Sequence, residues 1–133
     1  MNARLSHFIR YQLPAVVWAG IIFYVSSLPS SVLPKIKVAA VDKVVHVGIF
    51  FVFGLLLYRG LHPMQRSTGF EWRRALIALM AVALYGIVDE LHQGFVPGRT
   101  VDVWDVCADA VGGILAIVFL KYVARRRSLP AER

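Results

Sequence analysis

Four apolar runs, each near the length needed to cross a bilayer, constrain this chain more than any motif in it. They cover about Leu13 to Leu28, Val44 to Leu61, Ala75 to Phe95 and Val103 to Tyr122. A helix needs ~17 to 25 residues to traverse ~30 Å of hydrocarbon. Between the runs stand "LPSSVLP" with Pro29 and Pro34, "HPMQRSTG" with Pro63 and Gly69, and "VPGRT" with Pro97 and Gly98, all of which break helices. Lipid offers no partner to a bare backbone, so an apolar run of this length crosses as a helix. Only 17% of residues are charged, against about 25% in a soluble domain. The expected fold is all-α, an integral membrane bundle of four transmembrane helices making one domain over residues 1–133.

Charge sets the orientation, because basic flanks stay on the cytoplasmic side. Arg4 and Arg10 precede the first run. Arg59, Arg66, Arg73 and Arg74 lie between the second and third, and Lys121, Arg125, Arg126, Arg127 and Arg133 follow the fourth. Lys35, Lys37, Lys43 and Arg99 are on the other side. Both termini are therefore expected in the cytoplasm, with the chain in the cytoplasmic membrane. The net charge of +7 then reports topology and contact with anionic lipid, and no nucleic-acid partner is expected. The first run has the layout of a cleaved signal, but Trp18, Gly20 and Tyr24 suit packing and interfacial positions, so we expect it to be retained. The single cysteine, Cys107, excludes an intrachain disulfide and a cysteine-based zinc site.

This topology gathers the acids. Asp42, Asp89, Glu90, Asp102, Asp105 and Asp109 all fall at the outer ends of the second, third and fourth runs, with His46, His92, Gln93 and Arg99; only Glu71 and Glu132 lie elsewhere. Asp42 and His46 are four apart, on one helix face continued by Phe50 and Gly54. Asp102, Asp105, Asp109, Gly112 and Ala116 form a stripe that is acidic outside and small within, the kind that faces a neighbouring helix. Asp42 and Asp102 sit where a carboxylate caps helix amides, so capping and function stay open for both. Asp89, Glu90 and Asp109 have no capping role, and acids inside a span normally face a cavity or a partner. His46, His92 and Gln93 have ordinary packing or interfacial readings, as do Phe95 and Trp104.

Ionised together, the six acids outnumber Lys43 and Arg99 by four charges. Some therefore stay protonated, or a metal, a basic ligand or charged histidines balance them. Arg99 is the expected internal partner, either as a clamp on carboxylates or as an anion ligand.

"DKVVHVGIFFVFG" followed by "YGIVDELHQGFVPGRTVDVWDVCADAVGG" resembles the VanZ-like family of small bacterial membrane proteins, over about Asp42 to Leu120. The resemblance places Asp42, Lys43, His46, Asp89, Glu90, Gln93, Pro97, Arg99, Asp102 and Asp105 in the family motif. It implies a multi-span helical protein of the cell envelope, associated with resistance to glycopeptide antibiotics such as teicoplanin. Asp109 stands where many relatives are expected to have asparagine.

The reading that follows is a binding role. Asp42, His46, Asp89, Glu90, Gln93, Arg99, Asp102 and Asp105 would form a ligand site for an envelope amphiphile, whether a lipid headgroup, a lipid-linked cell-wall intermediate or a lipoglycopeptide. A second reading is a metal-assisted hydrolase or transferase, with a divalent cation on Asp42, His46, Asp89 and Glu90 and with Asp89, Glu90 or His46 as catalytic candidates. No standard catalytic signature supports it, so the balance is against an enzyme. A proton- or cation-coupled carrier is a third, opposed by inner halves that offer little beyond Tyr85 and Ser26 or Ser27. The fourth is a polar network that only specifies helix packing.

Overall fold

The computed structural model describes residues 2–32, 39–62 and 70–128, and all regular structure among them is helical. In chain order these are α1 (Ala3–His7), a π-helical turn (Phe8–Gln12), α2 (Leu13–Ser26), α3 (Ala39–Gly60), α4 (Trp72–Gln93) and α5 (Val103–Ser128). Four stretches are long and apolar enough to span a membrane: Ala3–Ser26, Val41–Gly60, Trp72–Gln93 and Val103–Arg127. The four expected spans are present, and three begin earlier than the apolar runs do. Lys35, Lys37, Arg66 and Arg133, used above for orientation, lie outside the described residues.

The first span starts ten residues before its apolar run and carries a π turn, for which Pro14 gives the reason. A proline inside a helix has no N–H for the carbonyl four residues back. Here that carbonyl belongs to Arg10, and it accepts instead from Arg59 Nη2 at 3.1 Å. One residue earlier, the Leu13 N–H bonds to Phe8 O, the wider π register. The break is thus filled by a side chain from α3.

α3 and α5 share the longest seam, and α4 packs along both. Small residues allow it. A Cβ on Gly112 would stand 2.5 Å from Val47 O and 2.9 Å from Phe51 N, so the α5 backbone runs directly against that of α3. One apolar cluster joins Ile22, Phe50, Phe53 and Val82; a second joins Tyr58, Ala75, Ala78 and Ile117 nearer the other end. The first span is attached by polar pins. Trp18 Nε1 donates to Ile49 O at 3.1 Å, and Tyr85 Oη donates to Ala19 O at 2.6 Å.

Val16, Ile21, Leu76, Met80, Leu84, Val88, Ile114 and Val118 all point outward and are exposed. An apolar exterior this continuous belongs against acyl chains.

Candidate polar site at one end of the bundle

Alternating chain direction brings four helix ends together: the C-termini of α2 and α4 and the N-termini of α3 and α5. Between α4 and α5, Val96 to Arg99 form a tight turn closed by Arg99 N–H to Val96 O at 3.1 Å. Pro97 and Gly98 hold its corners, and Gly98 has φ of 76°, a conformation that glycine adopts freely. The same turn accepts a hydrogen bond from Ser30 N at Pro97 O, so it seats against the end of the first span.

On this frame Asp102 stands just before α5, and its Oδ1 accepts from Trp104 N at 2.9 Å. The capping expectation for Asp102 is met, yet its other oxygen lies 2.6 Å from Lys43 Nζ. Lys43 also pairs with Asp105 and, at 3.5 Å, with Asp42. One ammonium from α3 thus gathers three carboxylates, those of Asp42 on α3, Asp105 on α5 and Asp102 just before α5. Asp102 lies before the span, and the hydrogen-bonded Lys43 ammonium holds its carboxyl below the ordinary value, helped by the Trp104 amide.

One turn deeper, His46 Nδ1 is 2.9 Å from Asp109 Oδ1, and its Nε2 is 3.9 Å from Asp105 Oδ1. Asp109 is only 1% exposed. It fits because Gly86 on α4 has no side chain: a Cβ there would meet Asp109 Oδ2 at 2.8 Å. Sequence reading had no signal for this role of Gly86, since only the rotation of α4 against α5 creates it. The acidic and small stripe of α5 does face the bundle, with Asp105, Asp109, Gly112 and Ala116 all buried.

On α4, Gln93 Nε2 donates to Asp89 Oδ2 at 3.0 Å while its Oε1 accepts from Arg99 Nη1 at 2.9 Å. Arg99 otherwise donates to the carbonyls of Leu28 and Val25 at the end of the first span. Of the two roles expected of Arg99, the direct clamp on carboxylates does not form among the described residues. Arg99 clamps backbone carbonyls and reaches Asp89 only through Gln93, whereas Lys43, already beside the acids on α3, is the cation that bridges them. Glu90 Oε1 accepts from the Asp102 amide.

Two buried atoms are left over. Asp89 is 5% exposed and Glu90 2%, and Asp89 Oδ1 and Glu90 Oε2 have no hydrogen-bond partner among the described residues. A buried acceptor without a partner is costly, so such atoms call for an explanation. His92 accounts for itself at the rim, 2.9 Å from Ser27 Oγ and stacked on Phe23. Ser26 and Ser27 therefore belong to this polar end and not to the inner half where they were expected. Phe95 and Trp104 are exposed, 88% and 72%, as interfacial anchors are.

All eight residues read as ligand-binding candidates thus stand at this end. Asp42, His46 and Asp105 bring one possible ligand atom each within 4.8 Å of the others. Asp89 and Glu90, the other expected metal ligands, make the separate contacts just described.

No curated protein and no solved structure matches the chain. The family model for VanZ/LLP1 matches residues 2–125, nearly the whole length, and the chain accordingly belongs to the VanZ/LLP1 family of proteins, here in the form of four membrane-spanning helices.

Proposed function

We propose that this VanZ/LLP1 protein sits in the cytoplasmic membrane with both termini inside, and that its acidic end faces outward and binds the polar head of an envelope amphiphile. Support for the orientation is the basic charge flanking the opposite helix ends, Arg10, Arg59, Arg73, Arg74 and Arg125 to Arg127 among the described residues. The observation that carries the binding role is the pair of buried carboxylates, Asp89 and Glu90, each with an oxygen that has no hydrogen-bond partner among the described residues. A network evolved only for packing would satisfy those atoms or replace them with apolar groups, since a half-satisfied buried network is less stable than either. An amphiphile whose head presents donors or positive charge meets both atoms while its chain lies against the apolar exterior. Family membership makes an acylated, amine-bearing glycopeptide such as teicoplanin a ligand of the right chemistry, and through it the protein would alter sensitivity to that antibiotic.

The test is a titration of purified protein in detergent with teicoplanin and with the same glycopeptide core lacking its acyl chain. Saturable binding of the acylated compound is expected, lost in Asp89→Asn and Glu90→Gln while both variants unfold at or above the wild-type temperature. Equal affinity in wild type and both variants overturns the proposal.

A further inference from the structure

The contacts of His46 point to a divalent-cation site, which does not depend on the amphiphile reading. His46 places Nδ1 against the buried carboxylate of Asp109 and leaves Nε2 toward Asp105. A histidine held through one ring nitrogen by a carboxylate presents the other as a ligand with fixed tautomer and orientation, the arrangement found behind metal-bound imidazoles. Together with His46, the carboxylates of Asp42 and Asp105 complete a three-residue set whose possible ligand atoms lie within 4.8 Å of one another. An independent sign of a missing partner is Glu90, 2% exposed, whose Oε1 is held by the Asp102 amide while Oε2 has no hydrogen-bond partner among the described residues. Asp102, whose amide holds Glu90, also shares the Lys43 ammonium with Asp105, so Glu90 borders the same charged group.

We infer that Asp42, His46 and Asp105, with Glu90 beside them and Asp109 orienting the imidazole, bind a divalent metal ion that displaces the Lys43 ammonium. One nitrogen and two or three carboxylate oxygens form a donor set suited to manganese or zinc, and to magnesium if water fills the remaining positions. Neighbouring ligands on one ion at ~2.1 Å bonds stand about 3.0 to 3.4 Å apart, so the set closes modestly around the ion. Lys43 is the reason it stands open. The ammonium pairs with Asp42 and Asp105, the two carboxylates the ion would take, and its long side chain can swing away. Asp42, half-buried at the start of α3, provides the route in.

The experiment uses the full chain in detergent, stripped with chelator and titrated with manganese, read by electron paramagnetic resonance. One saturable site per chain with nitrogen hyperfine coupling is expected. His46→Ala removes the coupling and Asp105→Asn removes the site. Asp109→Asn, a positioning change, weakens binding about 10- to 100-fold. Lys43→Met does the opposite and tightens it, an outcome that a purely structural role for these residues does not produce. Absence of saturable manganese binding in both wild type and Lys43→Met overturns the inference, as does binding without nitrogen coupling. A null result leaves both spare oxygens to the amphiphile, whereas a saturable site gives Glu90 Oε2 to the ion and leaves Asp89 Oδ1 as the atom that carries the amphiphile reading. The titration contains no amphiphile and its variants leave Asp89 and Glu90 intact, so the two are tested separately.

Discussion

Along one seam, α3 and α5 are joined in two ways. At the end where both helices begin, Lys43 and His46 of α3 hold Asp102, Asp105 and Asp109 of α5 through side-chain bonds. Further along, the same helices meet backbone to backbone: Gly112 lies against Val47 and Phe51, and Gly54 against Gly113 and Ala116. Neither region relies on the hydrophobic effect, because lipid is as apolar as any core a membrane protein can build. The inner seam draws on dispersion contacts that only small residues permit. The outer seam arranges charge, and because desolvation offsets much of the Coulombic gain, its contribution to stability is smaller than its bond count suggests.

The largest effect should therefore come from one added side chain in the inner seam. Gly112→Val drives a branched side chain into the carbonyl of Val47 and the amide of Phe51, which are backbone and cannot swing aside. Overpacking of this kind costs about 3 kcal/mol, a large share of the ~5 to 15 kcal/mol by which native proteins are stable. Lys43→Met, which removes the central cation of a partly exposed cluster, is expected to cost about 1 kcal/mol. Thermal unfolding of both variants in one detergent decides the matter. If Lys43→Met is the more damaging, the charged end is the structural keystone and the contrast drawn above fails.

Much of this seam was legible in the sequence. The spacing of Asp102, Asp105, Asp109, Gly112 and Ala116 fixes a single face of α5, and Asp42, His46, Phe50 and Gly54 fix its counterpart on α3. Periodicity assigns residues to a face but is silent on how two helices are rotated and shifted against each other. That is why the sequence does not mark Gly86 as the space that admits Asp109, and why it favours Arg99 over Lys43 as the bridging cation. Ser26 and Ser27 read as inner-half residues for a simpler reason: only pairing the end of the first span with the end of α4 reveals the contact of Ser27 with His92. The π turn was beyond reach as well. Pro14 announces a broken hydrogen bond, but only the fold shows Arg59 repairing it.

A second, smaller effect sharpens the contrast by addressing the first span, where the backbone approach of Gly60 to Tyr11 is looser than the seam's contacts at Gly112. Arg99 fastens its end by donating to the carbonyls of Val25 and Leu28 while holding Gln93. Arg99→Ala removes charge-assisted bonds and should cost about 2 kcal/mol. Because the loss is local, limited proteolysis is expected to attack the Pro29 region before the rest of the variant unfolds. Arg99→Lys recovers only part of the stability, since an ammonium does not span the three acceptors that the guanidinium fork reaches. Full recovery with lysine would mean that charge alone, and not the fork, ties the first span to the polar end.

The smallest effect is a dependence on acid. Asp102 stands just outside the span, and the Lys43 ammonium bound to it holds its carboxyl below the ordinary value. A group whose folded pKa is depressed contributes stability that is complete above its unfolded value, ~3.9 for aspartate, and is lost as pH falls through the lower folded value. Asp102 therefore adds nothing to the pH dependence between 7 and about 5, and its contribution disappears only below about 4. The measurement is the unfolding temperature of wild type and Asp102→Asn from pH 7 down to pH 3. A constant gap that narrows only at the acid end is expected. A gap that already narrows between pH 7 and 5 would show that a group with a higher pKa is coupled to Asp102, and the neighbours through which that coupling runs are Lys43 and His46. In that case the charged end titrates as one unit near neutral pH, and the division between a charged seam and a packed one becomes a division between a pH-responsive region and an inert one.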